Sequence, residues 1–569
     1  MNREEKSVFR LRRWFVLSLF TLSALGLTGR AAFLQVVQSD FLQEEGTARQ
    51  QRVMSVPAYR GMITDRNGEP LAISTPMDSV WANPGELPAT RDNLTRIARA
   101  VQVDADWLRQ RLAKRAEREF VYLRRHVTPA QANKVMALGV PGINLLREYR
   151  RYYPLGEAAG HAVGLTNIDD RGQEGLELAY DDWLAGVPGA KRVIKDRLGR
   201  TVEDVELIRP PRPGKNLVLS LDRRIQYLAY RELKKAVKDH NARAGSIVAL
   251  DPHSGEVIAM VNQPLFNPNN RRKLRGGSFR NRAVTDVFEP GSTIKPLAIA
   301  AALETGRFRP DTPVDTSPGY VMVRGHTIKD VRNYGLIDVA TVVSKSSNVG
   351  ASKLALDLPP ENIWRVYKGA GLGTISGSGF PGEAAGLLAD HARWRELDRA
   401  TLAFGYSLSV TPLQLAQAYA VLAADGMKPA LTHLHTGRPG KPTRVISADT
   451  ARQVRAMLER AVGTEGTGQL AAFENYRVAG KTGTVHKSTV GGYAEDRYIS
   501  LFAGMAPVSN PRLVVVVMID EPRGERYFGG QIAAPVFARV MAGAMRILNV
   551  PPDGLRPVHV ASTGEVGGG

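Results

Sequence analysis

The stretch Phe288-Glu289-Pro290-Gly291-Ser292-Thr293-Ile294-Lys295 decides the fold, because the apolar run Leu297 to Leu303 behind it makes it the opening of a buried helix. Pro296 is tolerated in the first turn, where its missing N–H costs nothing. One turn separates Ser292 from Lys295, so hydroxyl and amine share a face and can touch. A serine hydroxyl is a poor nucleophile until its proton is removed, and a lysine removes it only when its amine is neutral. Burial and a second cation both push a lysine pKa down, which makes Lys295 a candidate base. Alone the pattern is weak, since an N-capping Ser above a surface Lys reads the same way.

Working outward, strand patterns lie on both sides of this helix. Leu217 to Leu221 reads as a strand, with Asp222 capping a helix through Lys238. Ser246 to Leu250 and Glu256 to Val261 flank the turn Asp251-Pro252-His253-Ser254-Gly255 and read as a hairpin. Far downstream, Arg477 to Val485, Arg497 to Gly504 and Leu513 to Ile519 are three more strands, followed by a helix from Ala534 to Leu548. Strands at both ends with a helical middle predict a mixed α/β unit, an antiparallel sheet covered by helices, over residues 215–550. The Pro- and Arg-rich linker Arg209-Pro210-Pro211-Arg212-Pro213-Gly214 bounds it.

Two further polar clusters carry chemistry. Ser344-Lys345-Ser346-Ser347-Asn348 offers a second hydroxyl, able to relay a proton to a leaving amine, and an amide able to hold a substrate carbonyl. Lys481-Thr482-Gly483-Thr484 offers a second cation, a glycine that permits close backbone approach in a strand, and hydroxyls for a carboxylate. Each taken alone is an ordinary polar loop or strand end. Ser-x-x-Lys, Ser-x-Asn and Lys-Thr-Gly, once each and in this order, form the trio shared by class A β-lactamases and penicillin-binding proteins.

The N-terminus adds a location. Trp14 to Gly29 carries no charge and the apolar character resumes after Arg30, giving roughly 20 residues of spanning length over 14–36. Arg3, Lys6, Arg10, Arg12 and Arg13 outnumber Glu4 and Glu5 in the tail 1–13, which keeps that tail cytoplasmic and sends the rest outside. A cleavable signal peptide is the alternative, with Ala24-Leu25-Gly26 a passable site; the apolar run continuing past it favours an uncut anchor. Val37 to Gln50 reads as polar and helical, Arg91 to Ala137 as helical, and 551–569 as a disordered Pro- and Gly-rich tail.

Composition narrows the rest. Cysteine is absent, which excludes disulfides, thiolate metal sites and Cys nucleophiles. A net charge of +20 admits nucleic acid or an anionic surface, but the Arg residues are scattered and no nucleic-acid module accompanies them. His433 and His435 lack a metal-ligand cluster and read as surface residues, and Gly371-Leu372-Gly373 near Gly377 reads as a turn. No metal or cofactor is expected.

The stretches Arg60-Gly61 to Asn67-Gly68, Arg151 to Gly164 and Gly172 to Glu177 resemble the three signatures of the non-catalytic pedestal of class B penicillin-binding proteins, placed here at 37–214. Glu289 to Lys295 and Tyr406 to Leu415 are also similar to that class. Gly160 to Asn167 and Tyr527-Phe528-Gly529-Gly530 look most like its septal, FtsI-type branch. The resemblance implies a peptidoglycan D,D-transpeptidase that forms an acyl-enzyme at Ser292, releases D-alanine, and is acylated by β-lactams. Lys295 is implied as base, Ser346 and Lys481 as proton relay and Asn348 as substrate positioner. Backbone N–H groups of Ser292 and Thr484 are implied as oxyanion donors, and Tyr406, Tyr498, Tyr527 and Phe528 as walls. Stem peptides, the inner membrane, a polytopic glycosyltransferase and other division proteins are implied as partners, with the catalytic part in the periplasm. A water-deacylating hydrolase and a non-enzymatic scaffold are the rival functions.

Overall fold

The computed structural model describes residues 3–41, 51–195, 201–270, 276–489 and 492–554. Residues 42–50 of the expected polar helix and 555–569 of the expected tail lie outside them. A helix spans Arg3–Ala32 and continues through the π-turn Phe33–Val37. Its segment Leu11–Val37, 27 residues long, is apolar enough to cross a membrane, and none of that apolar window is buried within the protein. At 1.5 Å per residue it exceeds the roughly 30 Å of a hydrocarbon core.

The chain divides into two compact units. The first combines residues 1–59, 76–150 and 186–214. Its core sets Leu94, Ile97 and Val101 of the helix Arg91–Val101 with Val121, Leu123 and Val127. The expected continuous helix over Arg91 to Ala137 is therefore interrupted. Val121–Val127 is a strand paired antiparallel with Asp78 to Ala82, and a capping box at Thr128 starts a new helix at Pro129. Alternating burial of Val121, Leu123 and Val127 is the period-two signal that the Arg- and Ala-rich composition obscured.

The second unit combines residues 60–75, 151–185 and 215–569. All three signature stretches belong to it. Ile63 pairs with Ala72 across the Asn67-Gly68 turn, which Asp65 fixes by accepting from the Asn67 and Glu69 N–H groups at 2.8 Å each. The three stretches are tied by charge. Arg60 Nη2 meets Glu177 Oε2 at 2.7 Å, Arg60 Nη1 meets Asp181 Oδ1 at 2.6 Å, and Arg151 Nε meets Glu177 Oε1 at 2.7 Å. Arg60, Arg151 and Glu177 are all buried, so each ion relies on the others for the water it has lost.

The centre of this unit is a five-stranded antiparallel sheet. The helix α1 (Arg223–Asp239), capped by Asp222 as expected, precedes strands β1 (Ala244–Leu250) and β2 (Val257–Gln263). Helices α2 (Lys295–Leu303), α3 (Asn348–Leu356) and α4 (Pro412–Ala423) fill the middle of the chain. Strands β3 (Ala479–Thr489), β4 (Gly492–Ala506) and β5 (Leu513–Asp520) and helix α5 (Gly529–Ile547) complete it. The strand order is β2-β1-β5-β4-β3. Ile247, Ala249, Val515 and Val517 share a core with α1 and α5, whereas Val248, Leu250, Val514 and Val516 share one with α2 and α4. Both faces are covered, which is why the central strands read as unbroken apolar runs rather than alternating ones.

Helix α5 starts at Gly529, upstream of the expected Ala534, and Pro535 lies inside it rather than in its first turn. The glycine pair before it is dictated by packing rather than by a turn. A Cβ on Gly529 would fall 2.2 Å from the Gly483 carbonyl oxygen of β3.

Candidate active site

The nucleophile stretch folds as a 3₁₀ turn, Gly291–Ile294, with α2 beginning at Lys295. The Thr293 hydroxyl donates to the Pro290 carbonyl at 2.6 Å and the Gly291 N–H donates to the Gly405 carbonyl at 3.1 Å. Strand β3 presses against this turn. Gly291, with φ 53°, leaves no room for a side chain, since a Cβ there would lie 2.4 Å from Val485 Cγ2. Ser292 is half-buried and lines a cleft of about 580 Å³, while Lys295 directly behind it is fully buried.

Lys295 finds its partners in the second motif. Its Nζ donates to the Ser346 carbonyl at 2.5 Å, to Asn348 Oδ1 at 2.7 Å and to Ser346 Oγ at 3.2 Å. Among the described residues no hydrogen bond joins Lys295 to the Ser292 hydroxyl, although the one-turn spacing predicted contact. The 3₁₀ turn ahead of α2 changes the rise between the two residues, and the amine is turned toward Ser346 and Asn348. Ser346 takes the left-handed conformation at φ 65°, and Ser347 caps α3 by accepting from the Gly350 N–H at 2.9 Å. That kink aims Ser346 and Asn348 at one amine from neighbouring positions.

The third motif forms the opposite wall. Lys481, on β3, is fully buried, and its Nζ donates to the Thr482 carbonyl at 3.3 Å. Gly483 is where the strand meets the nucleophile turn, for a Cβ there would lie 2.9 Å from Thr293 Cγ2. Thr482 and Thr484 both reach the cleft. Their hydroxyls are already partnered, Thr482 Oγ1 with Thr467 Oγ1 at 2.8 Å and Thr484 Oγ1 accepting from the Gly529 N–H at 2.9 Å.

Both lysines are buried, and the charge of one acts on the other. Burial brings Lys481 down to about 7. Lys295 is held well below the ordinary lysine value by burial first and by the Lys481 charge second, with Asp330 pulling the other way. A neutral amine is thereby accessible near neutral pH at the position where a base is wanted.

The aromatic residues divide into two groups. Tyr498 and Tyr527 stack at 4.1 Å, and Tyr527 stacks on Phe528 at 4.5 Å, leaving Phe528 half exposed on the cleft. Tyr406 instead packs on Phe404 and Tyr493. Tyr493 donates its hydroxyl to Glu289 Oε1 at 3.0 Å, so this second cluster braces the nucleophile stretch. Tyr334, Thr467 and Gln531 line the cleft as well, and Asp330 holds the second motif; nothing in their local sequence pattern marked them. His433 is a correction: it is buried, its Nε2 3.1 Å from Ser378 Oγ and its pKa lowered to about 4 by burial. His435 bonds Glu256 Oε1 through Nδ1 at 2.7 Å. The apolar neighbours that enclose His433 are remote in sequence, which is why its surroundings read as surface.

A buried, deprotonable amine held by the Ser346 hydroxyl and the Asn348 amide, behind a cleft lined by Ser292 and beside a strand with a glycine at closest approach, defines the serine acyl-transfer class. Comparison with known proteins extends this. The penicillin binding protein transpeptidase domain family matches residues 245–542, and the penicillin-binding protein dimerisation domain family matches 55–219. The chain is 42% identical to the peptidoglycan D,D-transpeptidase FtsI of Escherichia coli K12, covering 97% of this chain and 95% of that one. It is also 42% identical to a protein of Pseudomonas aeruginosa named a probable peptidoglycan D,D-transpeptidase, PbpC, covering 95% and 96%. Among solved structures, penicillin-binding protein 3 of Mycobacterium tuberculosis, complexed with aztreonam, aligns over 88% of this chain at 29% identity with a TM-score of 0.68. The chain belongs to the class B penicillin-binding proteins of FtsI type.

Proposed function

We infer that the protein is a serine-type peptidoglycan D,D-transpeptidase, cross-linking stem peptides through an acyl-enzyme and open to acylation by β-lactams. The observation that carries this is Lys295, fully buried and biased toward its neutral form, bonded to Ser346 and Asn348 behind the cleft that Ser292 lines. In acylation Ser292 Oγ bonds to the carbonyl carbon of the penultimate D-alanine and its proton passes to Lys295. The C–N bond to the terminal D-alanine then breaks, and the departing amine takes a proton relayed through Ser346. In the second half an amine of a neighbouring stem bonds to the same carbon, Ser292 leaves, and the amine's proton returns through the same groups. Lys481 tunes Lys295 and shares the relay, Asn348 positions the substrate, and Thr482 and Thr484 receive its carboxylate. The backbone N–H groups of Ser292 and Thr484 are assigned to the developing oxyanion.

The setting belongs to the same proposal. The basic N-terminal tail supports a cytoplasmic start for the anchor and a periplasmic position for the second compact unit. Likeness to FtsI supports a septal role, alongside a separate glycan-polymerising membrane enzyme and other division proteins. Residues 37–214 serve as the pedestal, of which 60–75 and 151–185 belong to the same compact unit as residues 215–550, which carry the chemistry.

Mass spectrometry of the penicillin-treated protein tests the reading. An adduct on the peptide containing Ser292 that persists for many minutes is expected, and it vanishes in Ser292→Ala. Rapid release of the label would make the protein a hydrolase. Cross-linking that survives in cells carrying only Ser292→Ala would reduce it to a scaffold.

A further inference from the structure

Of the described residues that line the cleft, only Lys345 carries a charge. Lys295 and Lys481 are fully buried and do not line it. Lys345 caps the helix Val339–Ser344, its N–H donating to the Thr341 carbonyl at 2.9 Å, and so stands next to Ser346 on the wall built by the second motif. Its side chain reaches the loop that follows the helix Ala448–Val462. There Nζ donates to the Glu465 carbonyl at 2.8 Å and meets Glu465 Oε2 at 3.2 Å. The loop is a tight turn, for the Gly466 N–H donates to the Gly463 carbonyl at 2.9 Å and a Cβ on Gly466 would lie 2.0 Å from the Ala461 carbonyl oxygen. Among the described residues Glu465 is the only ion-pair partner of Lys345, and it is a weak one. The Glu465 side chain is 87% exposed, so water competes for its carboxylate, whereas Lys345 is 23% exposed and lies in the cleft. An ammonium has three donors; two of them go to Glu465, and the third is left for whatever enters the cleft.

We propose that Lys345 is a specificity residue for the donor substrate: it binds a carboxylate on the residues ahead of the scissile D-Ala-D-Ala, in exchange for the Glu465 side chain, and so selects an acidic stem peptide. The inference deepens the proposed function and rests on it. The terminal carboxylate of the donor is assigned to Thr482 and Thr484 on β3, the wall opposite the second motif. A carboxylate that reaches Lys345 therefore belongs to the part of the peptide before the scissile bond. The exchange keeps the ammonium paired throughout, and Glu465, already largely in water, loses little when it lets go. The carbonyl of Glu465 can stay in place, holding the Lys345 stem while the remaining donors turn to the ligand. A charge-assisted hydrogen bond formed in a partly enclosed cleft is stronger than the solvated pair it replaces. An uncharged peptide of the same shape makes no such gain, and this difference is the basis of selection.

The test compares two synthetic peptides ending in D-Ala-D-Ala, identical except that the two residues before that end carry free carboxylates in one and carboxamides in the other. Each competes with a fluorescent penicillin for Ser292 on the full chain in detergent micelles. The acidic peptide is expected to protect Ser292 about tenfold better than its amide, and raising the ionic strength should shrink that preference. Lys345→Met is expected to bring the ratio to about one, Lys345→Arg to keep most of it, and Lys345→Glu to invert it. Glu465→Gln removes the resident carboxylate but keeps the carbonyl, and is expected to improve the acidic peptide about twofold. Loss of the loop's anchorage alone would weaken both peptides alike and leave their ratio unchanged, so a ratio that survives Lys345→Met overturns the proposal. Equal protection by the two peptides in the unaltered protein overturns it without any variant having to fold. Protection by neither, in a protein that penicillin still labels, overturns it as well, since the cleft then holds no acidic donor. Absence of penicillin labelling at Ser292 would instead overturn the acyl-transfer assignment on which the proposal stands.

Discussion

Replacing Lys481 by Met should make the protein more stable and less active at once. Lys481 is fully buried and its amine makes one long hydrogen bond, 3.3 Å to the Thr482 carbonyl. Burial lowers its pKa from 10.5 to about 7. The sign follows from proton uptake: above pH 10.5 the amine is neutral in both states and costs nothing, whereas below it the unfolded chain binds a proton that the folded chain refuses. Stability therefore falls with falling pH down to about 7 and then levels off. At about 1.4 kcal/mol per unit the cost is about 4 kcal/mol at neutral pH and approaches about 5 kcal/mol below it. Methionine fills nearly the same volume without the charge. Part of the gain is lost to imperfect packing, so about 2 kcal/mol and a melting point several degrees higher are expected. Calorimetry of Lys481→Met against the unaltered protein, at pH 6 and at pH 10, reads this directly, the gain being present at pH 6 and reversed at pH 10, where mainly the packing loss remains. Removing the Lys481 charge also raises Lys295, so the acid limb of penicillin acylation should shift upward. A melting point equal to or below that of the unaltered protein at pH 6 would refute the reasoning, because the buried cation would then not be a burden on the fold.

Gly483→Ala introduces a Cβ 2.9 Å from Thr293 Cγ2 and 3.2 Å from the Pro290 carbonyl oxygen, so β3 must back away from the nucleophile turn. Overpacking of this kind costs about 1–3 kcal/mol, but misplacing the strand slows acylation about 100-fold, and stopped-flow labelling should show a kinetic loss far larger than the change in melting point. Arg60→Met strips Glu177 and Asp181 of a buried partner, and chemical denaturation should report a loss of about 3–5 kcal/mol. Asp181→Asn combined with Arg60→Met should recover part of that loss, since the carboxylate left without a partner is then removed while Glu177 still pairs with Arg151.

Regular elements whose physics is local were legible in the sequence. Asp222 caps α1 through side-chain bonds to the next turn, the Asn67-Gly68 hairpin forms, and the apolar runs at Ser246, Glu256 and Leu513 become strands, because capping, turn chemistry and burial each act within a few residues. The errors share a different cause. The start of α5 depends on Gly529 fitting against Gly483, two residues far apart in sequence. His433 is enclosed by Ser378 and Phe380 from another segment. Asp330 is invisible to pattern because its role lies in bonds to residues more than a dozen positions downstream. The site's residue types were legible, since hydroxyl, amine and amide each have few chemical uses; which of them Lys295 touches at rest was not, because that depends on the left-handed turn at Ser346.

The two buried lysines also explain why the second motif is built from neutral groups. A carboxylate in direct contact with Lys295 would restore its proton and disable it as a base. Ser346 and Asn348 instead offer oxygen acceptors without charge, which orient the amine and leave its proton affinity to burial and to Lys481. The carboxylate of Asp330 bonds the backbone at the start of α3 rather than the amine itself. Since the Lys481 charge acts on Lys295, uptake of the Ser292 proton by Lys295 in turn favours loss of one from Lys481. On the proposed assignment that coupling supplies the proton the departing D-alanine needs at the moment the base becomes charged. Lys481→Met should accordingly slow acylation by a peptide substrate, whose amine must leave protonated, more than acylation by a penicillin, whose amine stays tethered. Equal slowing of both, measured on the same preparation, would confine Lys481 to tuning Lys295.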